Sequence, residues 1–397
     1  MFWWLYGSTG TTPRNETPLV MWLQGGPGAS STGFGNFEEI GPLDVNQAYR
    51  PFTWVKAANV LFVDNPVGTG YSYVTDNSAY TTNVSQIADD LLTLFQAFLQ
   101  QQPAFQNVPF YIFSESYGGK MAAAFGLTLF NAIKAGQVKC IFKGVALGDS
   151  WISPVDSVAT WSSYLLSLSQ INYNGMAQLD SLTVEIEKAL ANGDYTLATN
   201  LWSTSEDTVE SLTDNVNFYN VLQHNVPDDS LKSLTPMERA MRRHLLVNLG
   251  DALSDLMNGP IRKYLGDIPA NVVWGGQSDQ VFSKQEGDFM KDVVGTVGQL
   301  LSVGVNVTVY SGELDLIVDV LGTLQWINKL PWSGLKDFLA AARVPLYPPS
   351  GEATKDTGAF YQAYQNLHFY WILNAGHMVP SDAAEMAFTM LKRIINV

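Results

Sequence analysis

Cysteine is nearly missing from this chain of 397 residues, with Cys140 as its single example. One thiol cannot close an intrachain disulfide, so stability has to come from a packed core. With only four histidines to join it, Cys140 offers little from which to build a zinc site, and neither a metal nor a cofactor is expected. Basic residues are also scarce. The 22 lysines and arginines stand against 37 aspartates and glutamates, and the net charge of −15 repels phosphate backbones and disfavours nucleic acid as a partner. No apolar run reaches the roughly 18 residues of a membrane-spanning helix, so no membrane span is expected.

What is present is apolar and aromatic. Hydrophobic residues make up 46% of the chain, enough for a large core, and its 11 tryptophans and 17 tyrosines suit a ring-lined binding groove. Compartment signals conflict. A lone free cysteine fits a reducing environment, whereas Asn15-Glu16-Thr17, Asn83-Val84-Ser85 and Asn306-Val307-Thr308 are acceptor triplets for glycosylation. The opening Met1-Phe2-Trp3-Trp4-Leu5-Tyr6 reads as an edge strand and not as a leader, because it lacks a basic start and soon reaches Pro13 and Arg14.

Short runs rich in β-branched and aromatic residues recur at Pro18 to Leu23, Asn59 to Val63, Pro109 to Phe113, Cys140 to Leu147, Val305 to Tyr310 and Leu367 to Leu373. Segments of helical period separate them, which is the pattern of a parallel or mixed sheet covered by helices. Ile87, Leu91, Leu92, Phe95, Phe98 and Leu99 mark one such helix, Lys120 to about Lys134 another, and Ser381 to Ile395 a closing one with Ser381-Asp382 as its expected cap. From about Pro154 to about Gln285 the strand rhythm stops and the sequence turns helical and polar. The expectation is a sheet domain made of residues 1–153 and 286–397, interrupted by a helical lid at 154–285.

The sharpest local signal is Phe110-Tyr111-Ile112-Phe113-Ser114-Glu115-Ser116-Tyr117-Gly118-Gly119, an apolar strand running into small residues and then a helix. That is the form of a nucleophile elbow, with Ser116 at its tip and Ser114 where a glycine is usual. An ordinary strand-to-helix turn is the plain alternative. A serine nucleophile needs a base. His224 and His244 fall in the expected lid and His368 inside a strand, which leaves His377, in a loop at the carboxyl end of the last strand. For the acid that orients the base, Asp315 follows the penultimate strand and completes the chain order serine, aspartate, histidine; Asp149, after the strand ending at Leu147, preserves that order as the runner-up. Glu313 and Asp319 read as neighbouring polar groups. The turn Gln24-Gly25-Gly26-Pro27-Gly28 lets bare backbone approach a substrate, with the Gly26 and Tyr117 amides as the expected oxyanion donors. Both nucleotide fingerprints fail there, since no Gly-Lys-Ser/Thr follows and Pro27 lacks a donor.

Taken together, these segments resemble the serine carboxypeptidases, and most of all their retinoid-inducible branch. The resemblance rests on Met1 to Tyr6, Gly25 to Ser31, Val63-Asp64-Asn65-Pro66-Val67-Gly68-Thr69-Gly70, Ser114 to Gly119 and Ala375-Gly376-His377-Met378-Val379-Pro380, and it is weakest in the lid. It implies an α/β-hydrolase fold with a central, mostly parallel sheet, helices on both faces and an inserted helical lid. It implies action on the C-terminal residue of peptides or proteins at acidic pH, and a lysosomal or secreted location. It also implies that Gln24, Glu39 and Glu115 hold the substrate carboxylate, with Glu39 favoured over Glu38 because only Glu39 fits the Glu-x-Gly-Pro spacing of Glu39-Ile40-Gly41-Pro42. Two acids beside a carboxylate are tolerable only when they share protons. Ala29 stands where many members carry a cysteine, and Gln24 and Asp319 replace asparagines of the wider family. An acyltransferase with the same triad, or a catalytically silent peptide-binding relative, is the alternative outcome.

Overall fold

The structure is a computed structural model describing residues 1–246 and 251–397. Among these, the apolar runs pair into one sheet of nine strands: β1 (Trp3–Tyr6), β2 (Leu19–Leu23), β3 (Asn59–Val63), β4 (Pro109–Glu115), β5 (Ile141–Gly148), β6 (Asn306–Gly312), β7 (Val344–Leu346), β8 (Ala359–Tyr364) and β9 (Leu367–Ile372). Their spatial order is β1-β3-β2-β4-β5-β6-β9-β8-β7. Pairing is parallel from β3 through β9 and antiparallel at both margins, where β1 lies against β3 and β8 against β9 and β7.

Strand periodicity of two explains the layering. Leu19, Met21 and Leu23 of β2 point to the face covered by α1 (Val84–Gln101) and α2 (Gly118–Lys134), while Val20 and Trp22 point to the face covered by the terminal helix Ala384–Ile395. The central strands are buried on both faces, so they read as continuous apolar runs and not as alternating ones. Asn83 caps α1, its side chain accepting from the Gln86 amide at 3.0 Å.

Two strands go beyond the sequence reading. β7 is an edge strand three residues long with a proline in it, and β8, beside it, is interrupted by polar residues, so neither carries the unbroken apolar run that marks the centre of the sheet. The expected Ser381-Asp382 cap is also corrected. Both residues belong to the short helix Val379–Asp382, and Asp382 accepts from the Gly376 amide at 2.8 Å, while Ala383 precedes the terminal helix without a side-chain cap.

Between β5 and β6 the described residues form helices and no strand of the sheet. They begin with α3 (Pro154–Ser167), α4 (Tyr173–Ala191), α5 (Tyr195–Thr213) and α6 (Pro236–Leu246). Residues 247–250 of the expected lid lie outside the described residues. Helix Val294–Ser302 then leads back into β6.

Candidate active site

The carboxyl ends of β2, β4, β5, β6 and β9 converge on one cavity. At the end of β4, Ser116 adopts φ 61°, a left-handed conformation that costs a non-glycine residue about 1–2 kcal/mol. Its neighbours hold it there: its amide donates to the Gly148 carbonyl at 3.0 Å, and its own carbonyl accepts from Gly119 at 3.0 Å and Trp151 at 2.9 Å. The turn leaves no room for side chains. A Cβ at Gly118 would lie 2.3 Å from the Leu23 carbonyl oxygen, and one at Gly119 would lie 2.1 Å from Ser150 Oγ. Ser114 fits because its hydroxyl turns toward β5 and donates to the Ala146 carbonyl at 3.1 Å.

The glycine turn after β2 presses against this elbow. A Cβ on Gly25 would sit 2.5 Å from Ser116 Cβ and 2.8 Å from the Tyr117 amide nitrogen, so only glycine permits the approach. Gly26 follows at φ 102°. Gly26, Ser116, Tyr117 and His377 all line the cavity. His377 Nδ1 bonds Asp315 Oδ2 at 2.8 Å, both side chains being buried. Two backbone contacts bring their loops together: Leu314 donates to the Ala375 carbonyl at 2.8 Å, and a Cβ on Gly312 would strike the Gly376 carbonyl oxygen at 2.0 Å. The His377 amide donates to the Tyr219 carbonyl at 2.8 Å, and the Tyr219 ring meets the imidazole edge-on, 5.0 Å between centroids. Among the described residues Ser116 and His377 share the cavity without a direct hydrogen bond, an arrangement that serine-histidine pairs tighten when substrate binds.

Behind the elbow lies a cluster of acids. Glu39 and Glu115 are fully buried and within hydrogen-bonding reach of each other. Gln24 Nε2 donates to Glu115 Oε1 at 2.7 Å, and Gln24 Oε1 accepts from the Trp22 indole at 2.7 Å, which locks the amide in one orientation. Burial, more than any other cause, pushes Glu39 up to about 7; burial and the neighbouring Glu39 push Glu115 well above the usual carboxylate range. Glu38 sits half-buried on the other side of the same helical turn, in the field of Arg50, away from this pair. Asp149 does not bond His377; its Oδ1 accepts from the Gly312 amide at 2.8 Å.

The remaining histidines are placed differently. His368 pairs with the Tyr361 hydroxyl at 2.7 Å on the outer part of the sheet, and His224 stands in a bridge with Val216. His244 is a surprise from the helical segment: it lines the cavity, bonded to the Tyr219 hydroxyl and, at 2.7 Å, to Glu206. Trp151, Trp202, Phe289 and Ile317 complete that wall. Sequence reasoning passed over all five; the abundance of aromatic rings was the only signal pointing to Trp151, Trp202 and Phe289, and none pointed to His244 or Ile317. Lys120 ties the wall to the elbow, its buried ammonium donating to the Asp288 and Phe289 carbonyls at 2.7 and 3.2 Å, while the Tyr117 hydroxyl donates to Asp288 Oδ2 at 3.1 Å. Among the described residues no group of three or more histidines, cysteines or acids is arranged to hold a metal ion, and no helix is long and apolar enough to cross a membrane.

Comparisons with known proteins give the family and the fold. A family model described as serine carboxypeptidase matches residues 1–397. The retinoid-inducible serine carboxypeptidase of Mus musculus is 50% identical over 400 residues, covering 99% of this chain and 88% of that protein. Serine carboxypeptidase-like 51 of Arabidopsis thaliana is 41% identical over 413 residues, covering 99% and 89%. A prohormone-processing carboxypeptidase from Saccharomyces cerevisiae, 19% identical, shares the fold with a TM-score of 0.78 over 99% of this chain and 86% of its own. With its α/β-hydrolase sheet and a family match along its full length, the chain belongs to the serine carboxypeptidase family.

Proposed function

We propose that this carboxypeptidase removes the C-terminal residue of peptides and proteins at acidic pH through Ser116, His377 and Asp315. Ser116 Oγ attacks the last peptide carbonyl and passes its proton to His377, which delivers it to the departing amino acid; water, deprotonated by His377, then cleaves the acyl-enzyme. Asp315 holds the imidazole through the 2.8 Å bond to Nδ1 and stabilises its charged form. The Gly26 and Tyr117 amides, on either side of Ser116, receive the oxyanion. The lid spans 154–285, a reading supported by the absence of sheet strands among its described residues.

The observation that carries the reading is the pairing of Glu39 with Glu115 beside the nucleophile. A proton held between two buried acids can be donated to a substrate carboxylate, while a third full negative charge there would be repelled. Gln24 supplies the neutral partner that keeps Glu115 in place. Such a site is protonated and able to donate below about pH 7, the value to which Glu39 is raised, which favours a lysosomal or otherwise acidic surrounding. Asn15 of the glycosylation triplets is exposed, in keeping with a secretory route, whereas Asn83 accepts at the α1 cap through its side chain and Asn306 Nδ2 donates to the Lys143 carbonyl at 2.9 Å.

The test pairs a peptide with its C-terminal amide at pH 5 and pH 7.5, for the parent and for Ser116→Ala. Trimming of the free acid at pH 5 by the parent alone is expected. Equal turnover of both peptides at neutral pH, or transfer to an added alcohol in preference to water, would overturn it in favour of another hydrolase or an acyltransferase.

A further inference from the structure

Asp149 is a buried acid that the mechanism above does not use. It sits one residue beyond β5, in a left-handed conformation with φ 38°, and its amide donates to the Tyr310 carbonyl of β6 at 2.9 Å. The neighbouring parallel strands therefore bring it beside the loop that carries Asp315. Neither side chain is accessible to solvent, and the two carboxyls are within hydrogen-bonding reach. Each has one oxygen already engaged: Asp149 Oδ1 accepts from the Gly312 amide, and Asp315 Oδ2 bonds His377. Each has one oxygen left over, Asp149 Oδ2 and Asp315 Oδ1, with no donor from any other described group.

Two carboxylates cannot stay ionised in contact at such a dry site, so the pair holds a proton. The environment decides which one keeps it. Asp315 faces an imidazole that donates a hydrogen bond and becomes cationic during the reaction. Asp149 faces Asp315 and Tyr310 on the β6 side, Glu115 from β4 and Asp382 from the short helix Val379–Asp382, and among these none is a cation. Burial, and then the charge of Asp315, push its carboxyl well above the usual range.

We propose that Asp149 is a positioning residue: it carries the shared proton and donates it to Asp315 Oδ1, fixing the carboxylate that in turn fixes His377. The inference rests on Asp315 being the orienting acid. It extends the relay by one member, from Asp149 through Asp315 and His377 to Ser116, and no proton leaves Asp149 during turnover. The bond to Asp315 compensates a buried charge that has few other donors.

The experiment measures kcat against pH for Asp149→Asn, Asp149→Ala and Asp315→Ala, each normalised to the fraction that a fluorophosphonate labels and checked by thermal melting. An asparagine can accept from Gly312 through Oδ1 and donate to Asp315 through Nδ2. Asp149→Ala should lower kcat by about 10- to 100-fold, the cost of a buried charged acceptor left without its donor. Its KM should hardly move, and the acid limb of its profile should shift to higher pH, because the Asp315 and His377 pair then binds protons more tightly. Asp149→Asn should recover most of kcat and restore the acid limb. An acid limb displaced to lower pH by about a unit or more in Asp149→Asn would mean that Asp149 is ionised in the parent, and would overturn the proposal. So would a parental kcat and profile in a folded Asp149→Ala. If Asp315→Ala keeps its activity while both Asp149 variants lose theirs, the assignment of Asp315 itself fails.

Discussion

Two pairs of buried acids flank Ser116, Glu39 with Glu115 and Asp149 with Asp315, and they answer one physical problem in opposite ways. In both, burial and a like neighbour raise the cost of charge until a proton is retained. The first pair contributes Glu115 to the cavity lining, and its fixed partner is a neutral amide, Gln24. Its proton can be offered to an arriving carboxylate. The second pair is closed off from the cavity and has a base, His377, as fixed partner. There one oxygen stays committed to the imidazole, and in the proposed mechanism the pair holds geometry and does not bind substrate. The difference lies less in the acids than in what the surrounding backbone places against them.

Breaking Ser116, or the closed pair that orients its base, should have the largest effect. Ser116→Ala is expected to lower kcat by about 10⁴- to 10⁶-fold, and Asp315→Asn by about 10⁴-fold through the wrong imidazole tautomer, with KM little changed because the open pair is untouched. Steady-state kinetics on a chromogenic peptide check this. A matching rise in KM would show that the two pairs are not separable.

Breaking the open side should act on recognition. Glu115→Gln or Glu39→Gln removes a charge-assisted contact to the substrate carboxylate, and the preference for a free acid over its amide, measured as a ratio of kcat/KM values, should drop by about 10- to 100-fold. Triad labelling by a fluorophosphonate should persist. A preference that survives in both variants would remove the pair from substrate binding.

The protonation states separate the pairs by pH. In the proposed mechanism the protonated open pair donates to the substrate, so KM should be low in acid and climb as pH rises through about 7, where Glu39 loses its proton. Stability has the same sign. Glu39 is raised above its ordinary value of 4.5, so the folded chain keeps a proton that the unfolded chain has lost between about 4.5 and about 7, and stability falls as pH rises across that window. Melting at pH 5 should exceed that at pH 7.5 by on the order of 5 °C, and Glu39→Gln should flatten the slope. A Tm that climbs toward neutral pH would contradict it.

How much of this could be read from the sequence follows from how local each feature is. The elbow was legible because a buried strand, a strained turn and a close helix constrain ten adjacent residues, and the glycine turn because only bare backbone meets Ser116 as Gly25 does. Asp149 and Asp315 read as rivals for one role, since chain order alone cannot show that Gly148 and Tyr310 are paired across β5 and β6. The cavity wall was not legible. Trp202 and His244 approach Phe289 and Tyr219 through helices whose polar, broken pattern announces helix but not which face turns inward. β7 and β8 escaped for the opposite reason, being too short or too exposed at the sheet margin to show a clear period.

The smallest effect, and the finest test of the open pair, belongs to Gln24. Its amide bridges Trp22 and Glu115 with both bonds at 2.7 Å, and the indole it accepts from is wholly buried. Gln24→Asn withdraws the amide by one methylene, so it can keep one partner but not both. If Trp22 is kept, the acid pair loses a donor that favours the charged forms of both Glu39 and Glu115, so Glu39 holds its proton to higher pH and the rise in KM moves upward by a few tenths of a unit. If Glu115 is kept, the indole is left unsatisfied and the cost of about 1–3 kcal/mol appears in the melting temperature instead. Either way KM should change by only about two- to fivefold, because the proton remains with the pair. Measuring the KM profile and Tm together tells which partner Gln24 serves first. Loss of all carboxylate preference in this variant would move the recognition role from the acid pair to the amide.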